Sequence, residues 1–269
     1  HWINAAGGSW TTGSNWSSGT PPTSDQNALI DLAGTYIVTL STDVTVNSLS
    51  VGSGSGLQTL TVSSARTLTV LTPSNVLGTG QLRLVGSTLA GGMLTVANGG
   101  SLRLEGLAKL NTPLVHAGNL LAIGSPQINA SVTTAAGSVI RVLSAGFGGS
   151  HLTFASGFTN NGTMDITANP NVTNGCELTV NGTLVNAVGA SLTVTGTPGG
   201  RVLNADLDNR GTVLIDVGLS LQRVNGNWLN SGLIHLRNGN LNTLQRTTFT
   251  NSGTVTVDPG RTWSWSNAP

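Results

Sequence analysis

Asp216, Arg237 and Asp258 are the residues whose types and spacing come closest to a chemical site. They occupy the same position of a recurring phrase, at a constant spacing along the chain. If the chain coils with that period, the two carboxylates lie about 10 Å apart with the guanidinium between them. A carboxylate pair at such a separation is typical of an inverting glycosidase. The intervening arginine favours the other interpretation, a column of surface ion pairs of small energetic value.

Asp206 and Asp208 form a second acidic pair, on one face of a strand pattern with Arg210 close by in sequence. Carboxylates suit calcium, so these two residues are a weak calcium candidate. Together with Asp216 they are also the acids to test if the chain is a polysaccharide lyase or hydrolase. Apart from that candidate we expect no metal and no cofactor.

Histidine and cysteine offer little for catalysis. His116, His151 and His235 are scattered, without the spacing of a metal-binding motif. Cys176 is the sole cysteine, which excludes an intrachain disulfide and a cysteine-rich zinc site. We expect its thiol to be buried. The sequence therefore favours a non-enzymatic protein, with the polysaccharide lyase or hydrolase left open as an alternative.

Five of the six tryptophans lie close to one end of the sequence or the other: Trp2, Trp10, Trp16, Trp263 and Trp265. Indole rings can cover the apolar core and strand edges that an open repeat end exposes. They can also stack on sugar faces, which makes the five residues candidates for carbohydrate contact. Both interpretations stay open for each end.

The elements that must position these residues are repeats. Ala190, Gly211, Gly232 and Gly253 open the same short phrase at a constant spacing of about 21 residues. Self-similarity at such a period is the mark of a solenoid. Three short strands and three turns fill such a repeat, so successive coils stack through parallel backbone hydrogen bonds. We predict an all-β, parallel β-helix with about 21 residues per coil.

The phrase also assigns side chains to columns. Its second and fourth residues after the opening are apolar and point inward in the regular coils, as Val213 and Ile215 do. An asparagine stands two residues before most openings. Stacked at the same turn, these carboxamides can bond to one another as a structural ladder. The ladder residues are Asn160, Asn209, Asn230 and Asn251.

Composition limits the partners. Charged residues make up 8% of the chain and the formal net charge is +1, which gives no electrostatic case for nucleic acid or an anionic membrane. No apolar run approaches the ~18 residues that would span a bilayer, so we expect no membrane insertion. Without a linker-like segment, we predict one domain over 1–269: an N-terminal cap in 1–27, coils in 28–262, and a C-terminal cap or end contact in 263–269.

The opening of the chain resembles a family of bacterial surface proteins, the β-helical passengers of the autotransporter and filamentous-haemagglutinin adhesin type. The residues that carry the resemblance are Trp10, Asn15-Trp16, Gly19, Pro21-Pro22, Asp25 and Ala28-Leu-Ile30. The resemblance implies a right-handed parallel β-helix that is secreted or displayed on the cell surface and serves adhesion.

Three functional hypotheses follow. The leading one is a non-enzymatic extracellular β-solenoid that acts as an adhesin or structural fibre module, with glycans or a cell surface as partner. The alternative is a carbohydrate-binding or ancillary module of a polysaccharide-active enzyme, which needs tryptophans exposed on one face. The third is a polysaccharide lyase or hydrolase. Trp263 and Trp265 either cap the last coil or support end-to-end self-association.

Overall fold

The computed structural model describes residues 1–146, 148–244 and 247–266. The chain forms two compact units. The first contains His1–Leu121 and Pro126–Val132, and the second contains Ala122–Ser125 and Thr133–Pro269. The prediction of a single domain stays a prediction. Each unit is a parallel β-solenoid, as the repeat predicts; the right-handed winding stays a prediction too.

The first unit consists of short strands, each parallel to its counterpart in the next coil. In chain order they are β1 (Gly8–Ser9), β2 (Asn27–Ile30), β3 (Tyr36–Leu40), β4 (Val44–Val46), β5 (Ser48–Val51), β6 (Gln58–Val62), β7 (Thr67–Val70), β8 (Ser74–Val76), β9 (Gly80–Val85), β10 (Thr88–Gly91), β11 (Leu94–Val96), β12 (Ser101–Gly106), β13 (Lys109–Asn111), β14 (Leu114–His116), β15 (Asn119–Gly124) and β16 (Gln127–Ile128). β15 belongs to this unit only up to Leu121, since Ala122–Ser125 are part of the second unit. The other strands form three walls, with strand orders β1-β3-β6-β9-β12, β4-β7-β10-β13-β16 and β2-β5-β8-β11-β14.

Alternation of apolar and polar residues explains why these segments are strands. In β12, Leu102 and Leu104 are fully buried, while Ser101, Arg103 and Glu105, which alternate with them, are partly exposed. Successive side chains of a strand point to opposite faces, so each such segment places one apolar set inside the coil. The core is therefore a stack of leucine, valine and isoleucine columns.

The N-terminal cap closes the first unit. A 3₁₀ helix (Gly13–Asn15) and β1 bring three indoles together over the first coil. Trp16 lies 4.8 Å from Trp10 and 5.2 Å from Trp2 between ring centroids, and its Nε1 donates to the Trp10 carbonyl at 2.7 Å. Tyr36 stacks on Trp2 at 6.5 Å. These aromatic side chains are buried, which is the arrangement the capping interpretation predicts.

The second unit continues the pattern with longer strands. They are β17 (Val132–Thr134), β18 (Val139–Ser144), β19 (Ser150–Phe154), β20 (Phe158–Asn160), β21 (Thr163–Ala168), β22 (Cys176–Asn186), β23 (Ser191–Val194), β24 (Arg201–Asn209), β25 (Thr212–Ile215), β26 (Leu219–Leu221), β27 (Asn227–Asn230), β28 (Leu233–Leu236), β29 (Leu241–Leu244), β30 (Thr248–Asn251), β31 (Thr254–Val257) and β32 (Trp263–Ser266). One wall has the order β18-β21-β23-β25-β28-β31, and a second β19-β22-β24-β26-β29-β32.

The third wall of the second unit shares strands with the second. β22 and β24 are long enough to pair with β19 or β26 at one end and with β20 or β27 at the other. The register between β22 and β24 shifts between Thr179 and Thr183, where β22 passes from the second wall to the third. In the regular coils Thr212 pairs with Leu233 and Leu233 with Thr254, which confirms the coil length that the repeat predicts.

The inward columns follow the prediction except in the last coil. Val213, Ile215, Ile234 and Leu236 are fully buried. Val257, at the equivalent position of β31, is 45% exposed. Within the described part of the chain, no helix has the length and apolar character needed to cross a membrane.

Candidate functional site

The predicted charge column resolves into two separate pairs. Arg237 donates to both carboxylate oxygens of Asp216, at 2.6 Å from Nε and 2.5 Å from Nη2. These bonds raise the pKa of the Arg237 guanidinium. Asp258 accepts a hydrogen bond from His235 Nε2 at 2.9 Å instead. Arg237 thus pairs with Asp216 alone. The partner of Asp258 is His235, which the repeat spacing did not indicate.

The weak calcium candidate also consists of paired carboxylates. Asp208 accepts two bonds from Arg210, at 3.0 and 2.5 Å. Asp206 accepts the Asn227 backbone amide at 2.9 Å and lies 4.0 Å from the Arg223 guanidinium. Among residues 1–146, 148–244 and 247–266, no group of three or more histidine, cysteine or acidic side chains is placed to hold a metal ion.

The tryptophans differ at the two ends of the sequence. Trp2, Trp10 and Trp16 are at most 1% exposed, so their ring faces are covered by protein and cannot stack on a sugar. Trp263 and Trp265 continue the inward columns of Leu241 and Thr243 in β29. Their rings stack at 5.5 Å, and Trp263 also packs against Phe249. Trp265 is 50% exposed and remains a candidate for carbohydrate contact. Residues 267–269 of the predicted C-terminal cap lie outside the described residues.

The asparagine ladder is present and has one more rung than the spacing indicated. Each side-chain amide donates to the side-chain oxygen of the next rung: Asn160 to Asn186 at 2.9 Å, Asn186 to Asn209 at 2.8 Å, Asn209 to Asn230 at 2.7 Å and Asn230 to Asn251 at 2.7 Å. The first four rungs are buried and Asn251 is exposed. The ladder is therefore part of the core and not a ligand site.

The candidate site is a pocket of about 390 Å³ on the outward side of β19, β22 and β24, in the second unit. We call it the loop-bounded pocket. Its wall is made by three stacked glycines, Gly149, Gly175 and Gly200, each directly before one of these strands. His151, Glu177 and Val202 line it from the first outward position of the same strands. Because β19 pairs with β22, His151 stands beside Glu177 in register.

Three lengthened turns border this pocket. Each of these turns leads from a strand of the β18-β21-β23 wall to the next strand of the β19-β22-β24 wall. The turns contain five residues (145–149), seven residues (169–175) and six residues (195–200). In the next two coils the same turn takes three residues, 216–218, and then four, 237–240. Phe147 in the first loop lies outside the described residues. The turn of the last coil, 258–262, again takes five residues, so what marks the pocket is the succession of three lengthened turns along its border. Loops on a rigid scaffold are where binding surfaces usually lie.

Hydrogen bonds tie the three loops to one another. Asn174 donates from Nδ2 to the Gly146 carbonyl. The Thr197 hydroxyl lies 3.1 Å from the Asn169 carbonyl and 2.5 Å from the Val172 carbonyl. Each loop thus bonds to its neighbour in the next coil. Hydrogen bonds thus connect the described residues of the three loops from coil to coil.

Buried polar side chains hold the base of each loop from inside the coil. Ser150 Oγ donates to the Leu143 carbonyl at 2.6 Å, Cys176 Sγ to the Thr167 carbonyl at 2.8 Å, and Arg201 Nη2 to the Thr197 carbonyl at 2.7 Å. These three residues pair in register with one another. In the next three coils the same inward column is apolar: Leu219, Leu241 and Trp263.

Burial governs the ionisation of two of these loop-base donors. It raises the pKa of the Cys176 thiol, against the opposing effect of the Arg201 charge. It lowers the pKa of Arg201, which is 1% exposed. The thiol therefore stays protonated and acts as a hydrogen-bond donor, in agreement with the buried, unreactive cysteine that we expected.

His151, Thr179 and Glu177 form a short hydrogen-bonded chain at the pocket. The Thr179 hydroxyl donates to Glu177 Oε1 at 2.9 Å, and His151 Nε2 lies 3.0 Å from the same hydroxyl oxygen. His151 Nε2 also lies 3.5 Å from Glu177 Oε1 and 3.4 Å from the Thr153 hydroxyl. With the Thr179 proton on the carboxylate, the tautomer that fits these contacts carries its proton on Nε2. In the neutral imidazole Nδ1 is then an acceptor. Glu177 Oε2 has no hydrogen-bond partner among the described residues.

The sequence contained weak signals for these features. Asn186 follows Leu184 as Asn209 follows Leu207, so the pattern apolar-x-Asn marks the extra rung, although it stands 26 and 23 residues from its neighbours. A glycine precedes Ser150, Cys176 and Arg201 alike. The intervals between those three positions differ from each other and from the regular period, which hid the stacking of His151 on Glu177.

The chain matches no protein-family model, no curated protein and no solved structure.

Proposed function

We propose that this chain is a non-enzymatic extracellular module that presents the outer faces of its β-solenoid to a glycan or cell surface, as an adhesin or a structural surface element. The observation that carries the proposal is the alignment of short polar side chains in outward columns. Ser220 pairs in register with Asn242, and Asn242 with Ser264. Thr45 and Thr69 stack in the same way in the first unit.

Such columns form a flat, regular and hydrogen-bonding surface. Neighbouring strands lie about 4.8 Å apart, so a column repeats its polar groups at that interval along the wall. An extended polymer can contact many of these groups at once, and the individual contacts add through multivalency. Flat polar surfaces of this kind suit adhesion better than capture of one small molecule, for which concave sites are usual.

An extracellular location agrees with how the fold is stabilised. The single thiol is buried and bonded to a backbone carbonyl, so the structure needs no disulfide and exposes no cysteine to oxidation. Protease treatment of intact producing cells tests the location. We expect the protein to be cleaved or released without cell lysis, whereas protection until lysis would contradict it.

A bead-adhesion assay tests the proposed function. Beads coated with the protein are expected to bind surfaces carrying polysaccharide, and the variant Ser220→Lys/Asn242→Lys/Ser264→Lys should bind less because its outward column carries long charged side chains. The matched control places lysines at Val188 and Val224, which are exposed in turns outside these columns, and should bind as the wild type does. No adhesion to any polysaccharide surface, or cleavage of the polymer during the assay, would contradict the proposal.

A second candidate function, the carbohydrate-binding module, is favoured by one observation. Trp265 is 50% exposed and its ring stacks on Trp263 at an interplanar angle of 18°, which presents an indole edge and face at the surface. Glycan binding that is lost in Trp265→Ala and kept in Trp228→Phe, a change at a buried indole, would favour this function. Equal binding by both variants would remove it.

A further inference from the structure

We propose that the loop-bounded pocket binds a sugar unit of a neutral glycan through two neighbouring hydroxyls, with Glu177 and His151 as the acceptors of their protons. This inference rests on the proposed function in taking a glycan as the partner. It goes further in naming the residues and the chemistry of one built site. The pocket volume of about 390 Å³ falls within the range of roughly 300–1,000 Å³ that is usual for ligand pockets.

The hydrogen-bonding groups of the pocket match a diol. Glu177 Oε1 is engaged by Thr179, which leaves Oε2 to accept from a ligand hydroxyl. His151 Nε2 donates to Thr179, which leaves Nδ1 to accept from a second hydroxyl. Register pairing of the two residues places them on adjacent strands, about 4.8 Å apart, a spacing that neighbouring hydroxyls of one ring can bridge. A hydroxyl bonded to a carboxylate forms one of the stronger neutral–charged contacts.

The charges around the pocket favour a neutral sugar over an anionic one. Of the described residues that line it, Glu177 carries a formal negative charge, and His151, whose Nε2 lies 3.5 Å from Glu177 Oε1, is the one side chain that could supply a compensating positive charge. Arg201 is nearby in sequence but points inward, where its amino groups donate to the carbonyls of Thr197 and Gly200. With His151 neutral, as acceptance by Nδ1 requires, a uronate carboxylate would face Glu177 without a compensating cation.

Hydrogen bonds pre-organise the described residues of the pocket border. The three loops are joined by the bonds from Asn174 and Thr197 and anchored below by Ser150, Cys176 and Arg201. A ligand that enters a pre-organised site does not lose affinity to the ordering of loops. Beside the pocket the inward column carries the polar donors Ser150, Cys176 and Arg201, whereas the next three coils place apolar side chains in that column. This exchange coincides with the pocket.

Gly200 allows the pocket to be filled without disturbing the fold. A Cβ built at Gly200 meets nothing within 4 Å, and the residue does not need the left-handed backbone that favours glycine. Gly200→Leu therefore adds a side chain at the pocket wall alone. Gly218 provides the matched control, because it occupies the same turn one coil further on and its nearest neighbour would be the Asn240 carbonyl at 3.9 Å.

The test is binding of a panel of neutral oligosaccharides, uronic-acid oligosaccharides and Zn²⁺ to the whole chain, measured by calorimetry. We expect at least one neutral oligosaccharide to bind. Gly200→Leu should abolish this binding, and Glu177→Gln should weaken it at least about tenfold while keeping the bond from Thr179. Gly218→Leu and Asp258→Asn, which alters the other outward histidine pair, should leave it unchanged.

Several results would overturn the assignment: no binding of any neutral oligosaccharide, binding that survives Gly200→Leu and Glu177→Gln alike, preference for the uronic acids, or a response to Zn²⁺ alone. Glu177→Gln preserves size and shape, so it remains informative if the larger leucine perturbs the wall. Bead adhesion measured on Gly200→Leu separates the two proposals. Adhesion that persists while soluble glycan binding is lost supports both the surface function and this pocket, whereas adhesion without any pocket-dependent binding leaves only the surface function.

Discussion

Asn186 donates its side-chain amide to the side-chain oxygen of Asn209 at 2.8 Å, across 23 residues of sequence. This bond connects the irregular coils of the second unit to its regular ones. Asn209 in turn donates to Asn230 and to the Leu233 carbonyl, at 2.7 and 3.1 Å. Hydrogen bonds in such chains polarise one another in a low-dielectric interior. A substitution at Asn209 therefore breaks hydrogen bonds to both neighbouring coils.

Asn209→Asp should destabilise the protein at neutral pH by at least about 2 kcal/mol, because the carboxylate can still accept from Asn186 but cannot donate to Asn230, and the charge would be buried. Lowering the pH should recover part of the loss, because a protonated carboxyl group can donate again. Urea unfolding measures the effect. Asn251→Asp is the control, since that rung is exposed, and equal losses in both variants would contradict a buried ladder.

Sequence periodicity was sufficient for the ladder and the core wherever the coil kept its length. Asn209, Asn230 and Asn251 recur every 21 residues because nothing is inserted between them. Asn186 escaped the same reasoning because β22 contains a register shift and the turn after it is longer. A fixed period records only coils of equal length, whereas backbone pairing tolerates insertions in turns.

The loop-bounded pocket shows the other limit of sequence reasoning. The interval between His151 and Glu177 is longer than the regular period of the repeat, although the two residues pair in register. Their contact depends on how many residues each loop takes out of the coil, which hydrophobic alternation does not reveal. The same holds for Arg201, which reads as a surface residue but is 1% exposed. Its hydrogen-bond partners are backbone carbonyls, which every residue type has, so the amino-acid sequence does not reveal them.

Arg201→Leu should loosen the third loop more than it destabilises the fold. Leucine is the residue of the same column in the next coil, Leu219, and replacing a buried charge by an apolar side chain is often close to neutral. We expect the free energy of unfolding to change by less than about 1 kcal/mol and the amides of 195–200 to exchange faster. Hydrogen exchange with mass spectrometry measures both. Arg210→Leu, at an exposed pair, should leave that loop unchanged, and the same result for Arg201→Leu would contradict its role as a loop anchor.

The Tyr36 phenol should ionise at a higher pH than a free tyrosine, and its pKa should indicate whether the N-terminal cap is intact. Burial and the neighbouring charge of Asp31 raise its pKa from 10.0 to about 12. Because the folded-state pKa is raised, the neutral phenol stabilises the fold fully below pH 10, and this contribution is lost as the pH rises from there through about 12. Tyr36 is the only tyrosine, so tyrosinate absorbance follows it directly.

The matching measurement is unfolding by urea as a function of alkaline pH. The wild type should lose more stability than Tyr36→Phe between pH 10 and 12, since phenylalanine has no proton to release. Titration of Tyr36 near pH 10 in the folded protein would contradict burial of its hydroxyl group.

Trp265 should account for most of the tryptophan fluorescence that iodide can quench. It is 50% exposed, whereas Trp2, Trp10, Trp16 and Trp228 are at most 1% exposed. Trp265→Phe should therefore remove most of the quenchable fraction, and Trp228→Phe should lower the total emission without changing quenching. A quenchable fraction that survives Trp265→Phe would indicate that another indole is open to solvent.

The hydrogen bonds of the ladder all point the same way along the chain from Asn160 to Asn251. Each rung presents its oxygen toward the lower-numbered neighbour and its amino group toward the higher-numbered one. A segment of 21 residues that begins at Asn209 and stops before Asn230 can thus be deleted or duplicated in the gene, and the new junction joins an amide donor to an oxygen acceptor again. Unequal crossing-over in this region changes the number of coils in single steps without leaving a buried amide unsatisfied. Between Asn160 and Asn186 the interval is 26 residues, so exchange with a regular coil would also transplant a loop. The regular coils are therefore interchangeable units of length, whereas the coils that build the pocket are not interchangeable with them.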